Sequence, residues 1–180
     1  NVSFKYPNSK NNTIEGINLK IEAGSLTGII GETGSGKSTL VDLILGLIHP
    51  KSGDIYYNNI KVGADNGLKS KVAYIPQDIF IIDDTLSNNV TLEFDERKVS
   101  DDMLSNALTK SQLIDTIRTI PNGINEKLGD KGVALSGGQR QRVALARALY
   151  HDREILVMDE VTSALDAETE SEVIKEIDML

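Results

Sequence analysis

Val2, Phe4 and Tyr6 alternate with polar neighbours, and the alternation stops at Pro7-Asn8. A period of two running into a turn predicts a strand. After a polar loop at residues 8–12, Ile14, Ile17, Leu19 and Ile21 predict a second strand region, closed by the turn around Ala23-Gly24. The apolar run from Leu26 to Ile30 predicts a short, buried central strand. The period then lengthens: Leu40, Leu43, Ile44 and Leu47 share one face of a helix predicted from about Lys37 to Ile48, with Pro50 and Gly53 closing it. Ile55-Tyr56-Tyr57, Asn58-Asn59 and Ile60 predict a hairpin with a tight turn, and Val72 to Ile75 a strand stopped by Pro76.

Helical spacing dominates from residue 77 onward. Ser100-Asp101-Asp102 reads as the cap of a helix carrying Met103, Leu104, Ala107 and Leu108, and Leu113, Ile114 and Ile117 continue a second stretch. Pro121-Asn122-Gly123 turns the chain. A helix predicted from about Gly137 to Tyr150 leads to a strand at Ile155-Leu156-Val157-Met158, and Asp166 caps a final acidic helix over residues 167–180. Strand, glycine-rich loop, helix and a later apolar strand ending in acid is the order of a parallel-sheet nucleotide-binding α/β fold, here with a helical insertion.

Composition narrows the function more than the fold. The 180 residues are 39% apolar and 26% charged, enough to build a core. A net charge of −8 is wrong for a protein that lives on nucleic-acid phosphates, so no nucleic-acid partner is expected. Without cysteine there is neither a disulfide framework nor a thiolate metal site. No apolar run reaches the ~20 residues of a membrane span; the richest, residues 40–48, is short and interrupted by Asp42. With Asn1 already inside a strand pattern, the chain reads as a segment cut from a longer polypeptide.

Three stretches carry chemistry. Gly31-Glu32-Thr33-Gly34-Ser35-Gly36-Lys37-Ser38 fits G-x-x-x-x-G-K-[ST] and sits between a predicted strand and a helix. Glycines let successive backbone N–H groups wrap phosphates, Lys37 reaches the β- and γ-phosphates, and the Ser38 hydroxyl suits Mg²⁺; Thr39 follows in the same turn. Asp159 and Glu160 end an apolar strand, at the sheet edge where ligands of open α/β sheets bind. Asp159 suits a water-mediated contact to Mg²⁺ and Glu160 the polarising of a water, although an acidic cap of the next segment is the other reading of the pair. Leu135-Ser136-Gly137-Gly138-Gln139 opens a helix with a hydroxyl, backbone N–H groups and a positive dipole end, which is a second anion site.

Taken in order, Gly31–Ser38, Leu135–Gln139 and the strand ending at Asp159-Glu160 resemble the nucleotide-binding domain of the ATP-binding-cassette (ABC) family, over nearly the whole chain. The LSGGQ stretch is the specific part. The resemblance implies an α/β P-loop NTPase fold with a mainly parallel core sheet, an antiparallel β subdomain and an inserted helical subdomain. Residues 1–180 then form one such domain truncated at both ends. About 1–76 and 152–180 hold the ATPase core with its β subdomain, and about 77–151 the helical and signature subdomain. It also implies that Tyr6 stacks on adenine, that Gln77 is the Q-loop glutamine, a metal ligand and catalytic participant beside Lys37, and that Asp166 lies in the D-loop. ATP and Mg²⁺ are the implied cofactors, with Ser38, Gln77 and Asp159 toward the metal. Residues 31–39, Ser136, Gly137, Gly138, Gln139 and Asp166 lie toward the nucleotide, and Glu160 is the general base.

Lys127-Leu128-Gly129-Asp130-Lys131-Gly132 resembles the segment that exporters of the family carry before the signature, with aspartate in place of the usual glutamate; Asn88-Asn89-Val90 also resembles the exporter pattern. The resemblance therefore implies the motor domain of an exporter or flippase at the cytoplasmic face of a membrane, with transmembrane domains outside this chain. A second nucleotide-binding domain, identical or not, would stack head to tail on it. An importer's ATPase subunit and a soluble ABC ATPase are the alternatives. The family's switch histidine would lie beyond Leu180, and His49 and His151 are expected to be surface residues.

Overall fold

Residues 1–63, 68–129 and 134–159 are described by the computed structural model. They fall in two compact units, Asn1–Val72 and Ala73–Leu180.

In the first unit, β1 (Val2–Phe4) pairs antiparallel with β2 (Ile14–Ile17), Val2 opposite Ile17 and Phe4 opposite Ile14. Two residue steps along β1 thus span three along β2. The irregularity falls at Gly16, whose amide leaves the ladder and donates to the Ser3 hydroxyl at 2.9 Å. β2 ends at Ile17, opposite Val2 where β1 begins, so Leu19 and Ile21, which the alternation had placed in the strand, lie outside it and are exposed. β3 (Tyr56–Tyr57) and β4 (Ile60–Lys61) form the predicted hairpin. Asn58 and Asn59 take φ of 49° and 65°. Two consecutive left-handed residues make the turn whose twist matches the strands, and asparagine tolerates that conformation better than most residues.

The first helix, α1 (Lys37–Ile44), stops four residues before the predicted end. Gly46 turns left-handed at φ 68°, Leu47 N–H reaches back to Asp42 C=O at 2.9 Å, and Gly46 N–H to Leu43 C=O at 3.1 Å. That pair of bonds is the Schellman arrangement, which satisfies the last carbonyls and ends the helix whatever the apolar spacing beyond it. Leu26–Ile30 is a larger correction: these residues form no strand, and Leu26 and Ile30 are 64% and 97% exposed. A strand exists only where a neighbour supplies its ladder, and none among the described residues pairs with this run.

The second unit is built around one helix. α5 (Gly137–Tyr150) has the predicted bounds. One face gives Val143, Ala146 and Tyr150 to a cluster with Leu86 and Val90 of α2 (Leu86–Thr91), Leu104, Ala107 and Leu108 of α3 (Asp101–Lys110), and Leu113, which precedes α4 (Ile114–Thr119). Ala144 and Leu145 pack instead with Ile75 of β5 (Val72–Ile75), against which Leu156 and Met158 of β6 (Ile155–Met158) also lie. β5 and β6 are neighbours in one sheet. The cap expected at Ser100 is present, Ser100 Oγ accepting from Met103 N–H, and Thr85 Oγ1 accepts from Asn88 N–H to cap α2 as well. Met103 stays largely exposed.

A buried polar knot joins α5 to the chain between β5 and α2. Asn89 is fully buried; its amide donates to the carbonyls of Ile82, Asp84 and Thr85 and its Oδ1 accepts from Ile82 N–H. Arg147 donates to the Asn89 carbonyl, to Asn89 Oδ1 at 3.0 Å and to the Phe80 carbonyl at 2.8 Å. Burial pulls the Arg147 guanidinium below its usual pKa. With three oxygens in reach, the cation keeps the hydrogen bonds that burial would otherwise cost it.

Candidate functional site

The glycine-rich loop takes the conformation its composition requires. Gly36, the residue before α1, sits at φ 96°, and a Cβ there would come within 3.0 Å of the Thr13 carbonyl and of Ile14 Cδ1. Both the backbone angle and the packing exclude a side chain. With glycine at this position no side chain caps the first N–H groups of α1. A helix start left without a side-chain cap directs its donors and positive dipole end outward, toward an anion. Lys37 lies across the loop, its ammonium donating to the Gly31 and Glu32 carbonyls at 2.8 and 3.0 Å, and Ser35 N–H closes a turn on Glu32 C=O at 3.1 Å. Glu32, Thr33, Gly34 and Ser38 are exposed, while Thr39 is buried.

Tyr6 belongs to the same unit and reaches the same turn. Its hydroxyl shares a 3.2 Å hydrogen bond with Thr39 Oγ1, and its ring meets Phe4 edge-on at 4.9 Å between centroids. At 42% exposure the ring keeps a free surface beside the first turn of α1. An aromatic held at both its tip and its edge, next to a phosphate loop, can present a flat face to a nucleobase.

In the second unit, Ser136 and Gln139 form a reciprocal cap at the start of α5. Ser136 Oγ accepts from Gln139 N–H at 3.2 Å, and Gln139 Oε1 accepts from Ser136 N–H at 2.8 Å. Arg140 adds a bond from its guanidinium to the Leu135 carbonyl at 2.8 Å. Ser136 is exposed, with Gly137, Gly138 and Gln139 half-buried. The hydroxyl is thus oriented from within the helix it opens.

Asp159 and Gln77 meet the ends of neighbouring strands. Asp159 N–H donates to Ile75 C=O at 2.9 Å, and Gln77 follows two residues after Ile75, with Pro76 between. Tyr74, one residue before Ile75, donates its hydroxyl to Asp159 Oδ2 at 3.1 Å. Asp159 is therefore tied to β5 twice, through its amide and through its carboxylate. Nothing in the residue order pointed to Tyr74, because its partner is 85 positions away. The expected metal donors, Ser38, Gln77 and Asp159, are all hard oxygens. Each is the donor type that Mg²⁺ takes, an ion that draws most of its shell from phosphate and water. Among the described residues no three His, Cys, Asp or Glu side chains gather as a self-sufficient metal site.

Glu160, Asp166 and Asp130, expected as general base, D-loop residue and exporter carboxylate, lie outside the described residues. His49 is exposed as expected, but His151 is not a simple surface residue. It is half-buried, packs edge-on to Tyr150 at 5.2 Å, and is held below its usual pKa by burial and by the Arg153 charge. No helix among the described residues is long and apolar enough to cross a membrane.

The family model for ABC transporters matches residues 14–163. The ATP-dependent lipid A-core flippase of Cupriavidus pinatubonensis is 38% identical over 175 residues, covering 96% of this chain and 30% of the relative. The protein of the same name from Wigglesworthia glossinidia brevipalpis is 38% identical over 183 residues, covering 100% and 31%. Among solved structures, a bacterial Atm1-family ABC exporter with ATP bound aligns with a TM-score of 0.86 at 30% identity, over 100% of this chain and 32% of that one. The chain spans about a third of the length of the proteins it matches.

Proposed function

Because the chain belongs to the ABC transporter family and is an ATPase domain of it, we propose that it is the motor of an exporter or flippase, coupling ATP hydrolysis to translocation by transmembrane domains outside these residues. The relatives named for flipping a lipid are 38% identical over nearly all of this chain, which supports export over import and makes an amphiphilic lipid the first cargo class to test. The working unit is a head-to-tail pair of nucleotide-binding domains at the cytoplasmic face of the membrane. Each ATP lies between one domain's residues 31–39 and the other's Ser136, Gly137, Gly138 and Gln139.

The observation that carries the nucleotide assignment is the glycine-built start of α1, free of a side-chain cap, with Tyr6 hydrogen-bonded into its first turn. Tyr6 stacks on adenine. The backbone donors of the loop take the phosphates, whose oxygens compete with the Gly31 and Glu32 carbonyls for Lys37. Ser38, Gln77 and Asp159 hold Mg²⁺, directly or through water; when bound, the ion neutralises charge on the β- and γ-phosphates. Glu160 takes a proton from the water that attacks the γ-phosphorus as the bond to the β-phosphate oxygen breaks, giving ADP and phosphate. Asp166 lines the interface between the two domains.

Glu160→Gln tests this reading. It is expected to bind ATP and trap the dimer while turnover falls by about 10²–10⁴, measured as phosphate release over many turnovers in the full-length protein. Hydrolysis at the parent rate would remove Glu160 as base. Reconstitution into vesicles, with ATP outside and a fluorescent lipid as cargo, then tests direction, and ATP-independent movement would count against a motor.

A further inference from the structure

Asp159 is the one expected metal-site carboxylate among the described residues, and β5 holds it by two hydrogen bonds. Its amide donates to Ile75 on β5 at 2.9 Å, and its Oδ2 accepts from the hydroxyl of Tyr74, the preceding residue of β5, at 3.1 Å. The amide bond fixes where the side chain leaves the backbone. Rotation about the side-chain bonds would still let the carboxylate sweep a cone, and the phenol removes that freedom by holding one of the two oxygens. Gln77, the other metal-site candidate of this unit, follows the end of β5 by two residues, after Pro76.

We infer that Tyr74 is a positioning residue for the metal site, orienting the Asp159 carboxylate so that its second oxygen accepts from metal-bound water. The physical case is that of an outer partner to a metal-binding carboxylate, which sets ligand direction without touching the ion and whose loss weakens metal binding more than nucleotide binding. A phenol is well matched to this role, because it is neutral at physiological pH, it donates one proton, and its ring is anchored by the backbone of β5. The inference rests on the metal role proposed for Asp159.

Tyr74→Phe deletes one hydroxyl from a half-exposed ring and leaves the strand intact. In the full-length protein with a non-hydrolysable ATP analogue, free Mn²⁺ is counted by electron paramagnetic resonance. Nucleotide binding is measured separately in the presence of EDTA. The half-saturating Mn²⁺ concentration is expected to rise by about tenfold, with nucleotide affinity in EDTA unchanged. In an Asp159→Asn background, Tyr74→Phe is expected to add nothing further, since the two residues act through one group. An unchanged Mn²⁺ titration in Tyr74→Phe, or a shift that persists at full size beside Asp159→Asn, overturns the role of Tyr74. If Asp159→Asn alone leaves Mn²⁺ binding as it was, the metal role of Asp159 fails and this inference falls with it.

Discussion

Two helix starts in this chain solve the same problem in opposite ways. Each leaves early N–H groups without an intrahelical partner. At α5, Ser136 and Gln139 satisfy two backbone donors from within, through a reciprocal pair of hydrogen bonds. At α1, Gly36 offers no side chain at all, and the positive dipole end faces outward without a side-chain cap. The first start has the amides of Ser136 and Gln139 met from within and presents an oriented hydroxyl beside two glycines. The second is completed by whatever anion it binds. A phosphate that arrives at α1 therefore stabilises the element it touches, whereas α5 needs no ligand to begin where it does.

The contrast can be broken most severely at Lys37. Lys37→Ala is expected to weaken ATP binding by about 10- to 100-fold, the loss of one charge-assisted hydrogen-bonding group. The thermal midpoint without nucleotide should barely move; calorimetric titration and melting, run side by side, check both. Gly36→Ala comes next. With φ at 96° and the Thr13 carbonyl 3.0 Å from the new Cβ, it should cost roughly 1–3 kcal/mol of unfolding free energy in denaturant titration. Ser136→Ala should cost about 1 kcal/mol by the same measurement, with Ser136→Gly costing only a few tenths. No loss on Ser136→Ala would show that the capping box is not what holds the start of α5. The smallest effect is expected at Tyr6→Phe. It removes the bond to Thr39 but keeps the stacking face, for at most about 1 kcal/mol and little change in ATP affinity.

How far each element could be read in advance follows the distance over which its causes act. The start of α5 was legible because Ser136, three residues before Gln139, writes the cap locally. The hairpin at Tyr56–Lys61 was legible for the same reason, since two asparagines specify the turn. The end of α1 misled, because Leu47 keeps the apolar rhythm while Gly46 has already reversed the chain. Local punctuation outweighed periodicity there. Leu26–Ile30 misled more, because an apolar run carries no information about whether a neighbouring strand will pair with it. At the site, the phosphate loop and signature stood out as contiguous motifs. Tyr6 beside Thr39, Tyr74 on Asp159 and Arg147 on Asn89 are partnerships across 33, 85 and 58 positions, and only folding brings them together.

The knot around Asn89 and Arg147 is made almost entirely with main-chain carbonyls: Phe80, Ile82, Asp84, Thr85 and Asn89 itself. At Phe80 the grip is on the carbonyl alone, while the ring is exposed, so this position can exchange its side chain without giving up its bond to Arg147. Ile81, packed on the core, and Thr85, whose hydroxyl caps α2, lack that freedom. New surface chemistry can thus be written at Phe80 without rebuilding the helix that holds it.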